Sequence, residues 1–280
     1  MTRICIPDWE YQERIKKAAQ LVAEKGLDAM LVVSTESDYA NARYFSGFWP
    51  LFERAGVLIG ASGKAVLLVG PESAIFAKDF GKIDKVMVLK EFRESADPAY
   101  PELVPDTFKM AFDYVGATGE NLKIGLGSYV ECTLPIIEGL KDTFPKAEIS
   151  NCSDIMVALR SIKSENELAC IREGFRIVEL ATDEVIKALK PGVTELQMVG
   201  IAQRVIYENG AEYEFLSDCF DDPYIALSMV FLKGYQWPFD TRKTEGSSKV
   251  DLLVAKRFTG LDGAELSEMT QLSHTSTLNH

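Results

Sequence analysis

Histidine is almost missing from this chain of 280 residues: His274 and His280, both at the extreme C-terminus, are the two present. With so few, a Cys–His nucleophilic pair is not expected. Cysteine is also scarce. Cys5, Cys132, Cys152, Cys170 and Cys219 are odd in number, widely scattered and free of any C-x-x-C pair. That spacing suits neither a zinc site nor a disulfide framework, and fits a reducing cytosol. No stretch approaches the roughly 18 consecutive apolar residues of a membrane span, and Met1 to Pro7 lacks the apolar core of a signal peptide. A cytoplasmic protein is expected. Basic excess is lacking too: 30 Lys and Arg face 42 Asp and Glu, a formal charge of −12. This balance argues against a nucleic-acid partner and offers nothing to an anionic membrane. Internal repeats and low-complexity tracts are absent.

What is present is a globular composition, 47% hydrophobic, over a length that suggests two domains at about 150 residues each. Tyr11 to Lys25 carries apolar residues at helical spacing through Ile15, Ala18, Ala19 and Val22, and Gly26 stops it. Asp28 to Val33 reads as a buried strand. Arg54 to Gly60 and Lys64 to Val69 are apolar runs split by Ala61-Ser62-Gly63, the pattern of a hairpin. Pro71-Glu72-Ser73 opens a short helix toward Phe80, and Lys85 to Leu89 is another strand. Helices are expected over Pro101–Tyr114 and Leu134–Phe144, with an extended segment at Leu122–Leu126. Strands alternating with helices, with one hairpin among them, predict an α/β domain built on a mixed sheet. Lys123-Ile124-Gly125-Leu126-Gly127-Ser128 lacks the third glycine of a dinucleotide fingerprint; a tight strand-to-helix turn explains it better.

A boundary lies in Leu159-Arg160-Ser161-Ile162-Lys163-Ser164-Glu165-Asn166-Glu167-Leu168. Ser164 and Glu167 form an S-x-x-E capping box, and apolar residues follow at Leu168, Ile171, Phe175, Val178, Val185 and Leu189, one face of a long helix. Lys190-Pro191-Gly192-Val193-Thr194-Glu195 turns into a second helix, Thr194 to Asn209, with its own Thr194–Gln197 box and Gly210 at its end. Ala211 to Phe215 looks like a strand entry. Beyond Asp218 polar and small residues dominate, and Ser267 to His280 reads as a loose tail.

The capped join, with Arg160 and Lys163 ahead of it and the Lys190–Glu195 turn behind it, resembles the creatinase, prolidase and Xaa-Pro aminopeptidase family. Asn41-Ala42-Arg43-Tyr44-Phe45-Ser46-Gly47-Phe48 is similar to the family's N-x-x-Y-[LF]-[ST]-G-[FY] element, a short helix closed by Gly47. Its aromatics are expected to serve mainly in packing. Phe52-Glu53-Arg54 resembles the F-x-R element with which creatinase-type members project an aromatic ring and a guanidinium into the neighbouring subunit's active site. The resemblance implies a ribonuclease H-like, mixed-sheet N-terminal domain over residues 1–157. It further implies the opening helices of a pita-bread catalytic domain over 158–217, and leaves 218–280 as a divergent tail. It makes Phe52 and Arg54 the candidate substrate-binding residues.

Family peptidases hold two divalent ions (Mn, Co or Zn) with two Asp, a His and two Glu, and creatinase-type members use a His as general acid/base. Either chemistry needs a histidine within the catalytic sheet, and Ala158 to Leu272 contains none. Asp240 and Asp251 stand eleven apart, the spacing of the first two acidic ligands. The residues between them lack the alternation of paired strands, so they are weak metal candidates. The expectation is a hydrolase-like chain that binds no cofactor and is incompetent by itself, pairing as a homodimer or with a full-length relative. The alternative is a non-enzymatic dimerisation or interaction module.

Overall fold

The computed structural model describes residues 4–36, 38–50, 53–94, 104–190 and 192–211. Phe52, Asp240, Asp251 and all but the first residue of the strand entry expected at 211–215 lie outside them. The first compact unit runs from Cys5 to Glu167.

Helix α1 spans Asp8–Glu24, and Ile15, Ala18, Ala19 and Val22 are buried along one face, as their spacing predicts. It begins three residues before Tyr11, with extended Pro7 as its N-cap. Gly26 then takes φ +66°, a left-handed conformation that costs a glycine little, and the chain reverses into β1, Ala29–Ser34, all six residues buried. Helix α2, Ala40–Ser46, closes on Gly47 at φ 65°, whose N–H donates to the Arg43 carbonyl. Strands β2, Ala55–Gly60, and β3, Ala65–Val69, form the expected hairpin. Helix α3 follows at Ala74–Phe80 and strand β4 at Val86–Val88. Helix α4 spans Phe108–Val115, where Thr107 accepts the Met110 N–H as an N-cap. That capping hydroxyl fixes the start later than Pro101, because residues 104–107 precede the first helical turn. Strand β5, Lys123–Leu126, and helix α5, Leu134–Thr143, match their expected spans closely. Strand β6, Glu148–Asn151, and helix α6, Ser153–Ser161, complete the unit.

The six strands form one sheet in the order β4-β3-β2-β1-β5-β6. Strand β2 is antiparallel to both neighbours, while β1, β5 and β6 run parallel, as do β3 and β4. Strands β1, β2 and β3 alternate their side chains between two cores. Leu31, Val33, Leu58 and Leu68 pack with Phe108, Phe112, Ile136 and Leu140. Met30, Val32, Val57 and Leu67 pack with Ile15, Val22, Phe45 and Met156. A one-residue slip would exchange these faces, so burial on both sides fixes the register.

As expected, the Gly125 and Gly127 pair marks a tight turn from β5 into a short 3-10 helix, Tyr129–Glu131. Gly125 lies inside β5, and a Cβ there would press on Cys152 Sγ and Leu27. A Cβ at Gly127 would press on Val32 and Met30. Both glycines leave room for neighbours.

The second unit, described by itself, begins within helix α7, Glu165–Ala188, and continues through α8, Glu195–Glu208. The buried face of α7 is Ile177, Ala181 and Val185. Ile171 is exposed and Leu168, Phe175 and Leu189 are only half-buried. The apolar stripe read from sequence was therefore partly misplaced, since large side chains do not by themselves mark the covered face. In α8 both halves of the Thr194–Gln197 capping box are formed.

Candidate functional site

The sheet gathers its chemistry at one edge. Because β2 alone runs antiparallel, Ser34 at the end of β1 pairs with Ala55 at the start of β2, which pairs with Val69 at the end of β3. Residues just before β2 and just after β1, β3, β4 and β5 therefore share one side of the molecule, the side on which open α/β sheets bind ligands.

Arg54 stands on this edge at the entry to β2. Its backbone N–H donates to the Phe92 carbonyl at 3.1 Å, and its guanidinium Nη1 donates to the Arg93 carbonyl, also at 3.1 Å. The side chain is half-buried, its Nε has no hydrogen-bond partner, and no carboxylate pairs with it among the described residues. A guanidinium keeps its charge under all ordinary conditions. One held by neutral carbonyls retains donors for an incoming carboxylate or other anion.

Glu53 does a different job. It is buried, and its carboxylate accepts the Ser73 N–H at 2.8 Å and the Glu72 N–H at 3.3 Å. Gly70 leaves the space it fills, since a Cβ there would collide with the carboxylate. Glu53 thus ties the segment before Arg54 to the start of α3. Nearby, the Arg43 guanidinium lies 4.4 Å over the Trp49 ring.

The two stretches that suggested a family from sequence meet in space. Arg160 Nη1 donates to Asn41 Oδ1 at 2.9 Å, and the Tyr44 hydroxyl donates to the Leu159 carbonyl at 3.0 Å. Tyr44 is therefore more than a packing aromatic. Beneath it lies a buried charged cluster that sequence reasoning missed. Glu10 accepts from Arg14 Nη2, Ser164 Oγ and Asn166 Nδ2, each at 2.7 Å. Arg14 also reaches Glu167 at 3.3 Å and lies 4.3 Å over the Tyr44 ring. Burial raises the pKa of Glu10. The hydrogen bonds from Asn166, Ser164 and Arg14, with the Arg14 charge, outweigh it and hold the carboxyl below its ordinary value. Glu167 and Ser164 exchange the reciprocal bonds of their capping box, at 2.8 and 3.0 Å. The i,i+4 pairing of Glu10 and Arg14 was the available signal, but on a helix such pairs are usually exposed.

Cys132 and Cys152 offer no nucleophile here. Burial pushes Cys152 up to about 12 and Cys132 up to about 11, so both stay protonated near neutrality. Among the described residues no group of three or more His, Cys, Asp or Glu could hold a metal ion, and no helix is long and apolar enough to cross a membrane.

Comparison with known proteins agrees with this architecture. The Creatinase/Prolidase N-terminal domain family matches residues 14–162. The chain is 25% identical over 202 residues to a Xaa-Pro dipeptidase of Pyrococcus horikoshii, covering 71% of this chain and 49% of that protein. It is 26% identical over 193 residues to a creatinase of a Bacillus species, covering 68% and 43%. Among solved structures, an X-Pro aminopeptidase from Thermotoga maritima superposes with a TM-score of 0.57 at 22% identity, covering 71% of this chain and 50% of that one. This chain therefore spans about half the length of the relatives it matches.

Proposed function

Because the chain belongs to the creatinase/prolidase N-terminal domain family, we propose that it serves a Xaa-Pro dipeptide hydrolase as the half that holds substrate, and does not cut by itself. The observation that carries this reading is Arg54. It sits on the side of the sheet where open α/β sheets bind ligands, fixed through the Phe92 and Arg93 carbonyls and unpaired with any carboxylate among the described residues. A dipeptide ending in proline lacks a donor N–H at the scissile bond, so its terminal carboxylate is the strongest handle for orientation. The planar guanidinium fork can grip that carboxylate through two parallel hydrogen bonds, fixing position and angle together. Such positioning contributes to catalysis by holding the reacting groups in register.

Hydrolysis requires donors that the described residues do not bring together. Asp240 and Asp251 lie outside the described residues, and Ala158 to Leu272 contains no histidine. On this reading the cutting machinery, including the divalent metal of the family's peptidases, belongs to another subunit. Arg54 reaches that subunit across an interface, so the working state is a pair with a longer relative that carries the cutting machinery.

Sedimentation velocity on the purified chain, alone and mixed with such a relative, tests this reading. A mixed complex with the relative at micromolar concentration is expected. Absence of any mixed complex would overturn the shared-site reading, since Arg54 would then have no active site to serve.

A further inference from the structure

We infer that the groove between α6, the β1–α2 loop and the turn after β5 is a second binding site, and that its ligand class is a short zwitterionic peptide. Strand β1 leads toward α2 on one face of the sheet, and the adjacent parallel strand β5 leads toward α5 on the other. Their carboxyl ends thus flank the point where connections diverge, where an open α/β sheet leaves a natural crevice. A groove of about 420 Å³ occupies this place, within the range of small-molecule sites.

Three half-buried ionic groups line it: Asp38, Glu131 and Arg160. Arg160 spends one donor on Asn41 Oδ1 and has no ion-pair partner among the described residues. Asp38 accepts the Ala40 N–H at 3.1 Å, and Glu131 accepts a long 3.4 Å bond from the Thr35 hydroxyl. Neither carboxylate pairs with a cation among the described residues. Thr35 Oγ1 also accepts the Asp38 N–H at 3.1 Å, so the acid-bearing loops are joined through one side chain.

Charges of both signs therefore share a groove without neutralising one another. Partial removal from water makes each unpaired charge costly, and a ligand carrying both countercharges relieves the cost at both places. Between them the walls mix serines (Ser128, Ser153 and Ser161) with apolar side chains. Met156 is buried, whereas Tyr129, Val130 and Val157 are exposed at 54%, 89% and 66%. A peptide fits this pattern: its terminal carboxylate meets the Arg160 fork, its α-ammonium meets Asp38 and Glu131, and its side chains cover Tyr129, Val130 and Val157. A plain anion would leave the two acids unsatisfied, and a plain amine would leave Arg160 so. The inference stands apart from the role proposed for Arg54.

The test is calorimetric titration of the full chain with Leu-Leu, Leu-Leu amide and N-acetyl-Leu-Leu. Saturable binding of Leu-Leu is expected, weakened about tenfold or more when either terminus is blocked, as for the loss of one charge-assisted contact. Arg160→Met should weaken Leu-Leu as much as amidation does, Asp38→Asn with Glu131→Gln as much as acetylation, and Lys146→Met, an exposed position paired with Glu120 outside the groove, should change nothing. The blocked peptides probe unaltered protein, so the outcome does not depend on a variant folding. Absence of saturable Leu-Leu binding, equal affinity for free and blocked peptides, or Leu-Leu affinity unchanged by Arg160→Met would each overturn the inference.

Discussion

Substituting Glu10 by Gln should weaken the first unit more than any surface change can. The carboxylate receives three side-chain hydrogen bonds at 2.7 Å, from Arg14, Ser164 and Asn166, and both Glu10 and Arg14 have 7% side-chain exposure. Breaking a buried ion pair by removing one partner costs about 3–5 kcal/mol. Glu167, 3.3 Å from Arg14, retains a countercharge, so a loss just below that range, about 2–3 kcal/mol, is expected. Urea unfolding followed by tryptophan fluorescence suits the measurement, because Trp9 adjoins Glu10 in α1 and Trp49 lies under Arg43. The pH dependence is fixed in sign. Glu10 has a depressed pKa in the folded chain, so its contribution is complete above the ordinary value of 4.5 and disappears as pH falls through the lower folded value. The gap between the parent chain and Glu10→Gln should therefore close on acidification. Pairing the change with Ser164→Ala in a double-mutant cycle should show coupling above about 0.5 kcal/mol. A loss within about 0.5 kcal/mol at neutral pH, the range of ordinary surface substitutions, would refute the reasoning.

Two further outcomes are expected. Gly47→Ala places a side chain at φ +65°, with its Cβ 3.0 Å from Lys82 Cγ and 3.2 Å from the Tyr11 hydroxyl; it should cost about 1–2 kcal/mol, and an unchanged melting midpoint would contradict the left-handed cap. Iodoacetamide at neutral pH should label exposed Cys5 and spare half-buried Cys132 and buried Cys152 in the native chain; modification of either of the latter two at the rate of Cys5 would refute their protonated state.

Much of the fold was legible because its signals are local. Gly26, Gly47 and the Ala61-Ser62-Gly63 turn each mark a reversal, and the apolar runs between them are buried on both faces, so length and punctuation placed the strands. Strand β6 and helix α6 escaped notice because neither carries a strong pattern. Glu148 and Asn151 are exposed at the ends of β6, and α6 buries only Ile155 and Met156. The site was less legible for a different reason. Glu10 and Ser164 are 154 positions apart, and Thr35 and Glu131 are 96 apart; no local spacing encodes such meetings. Arg54 could be singled out by its likeness to a motif, but its hold on the Phe92 and Arg93 carbonyls depends on where a distant turn docks.

The most direct test of a substrate-holding chain that does not cut is turnover of Ala-Pro by the pure 280-residue chain supplied in turn with Mn²⁺, Co²⁺ and Zn²⁺. No hydrolysis above the metal-only blank is expected. Turnover proportional to the amount of chain, and abolished by Asp240→Asn or Asp251→Asn, would contradict it and place the cutting machinery within this polypeptide.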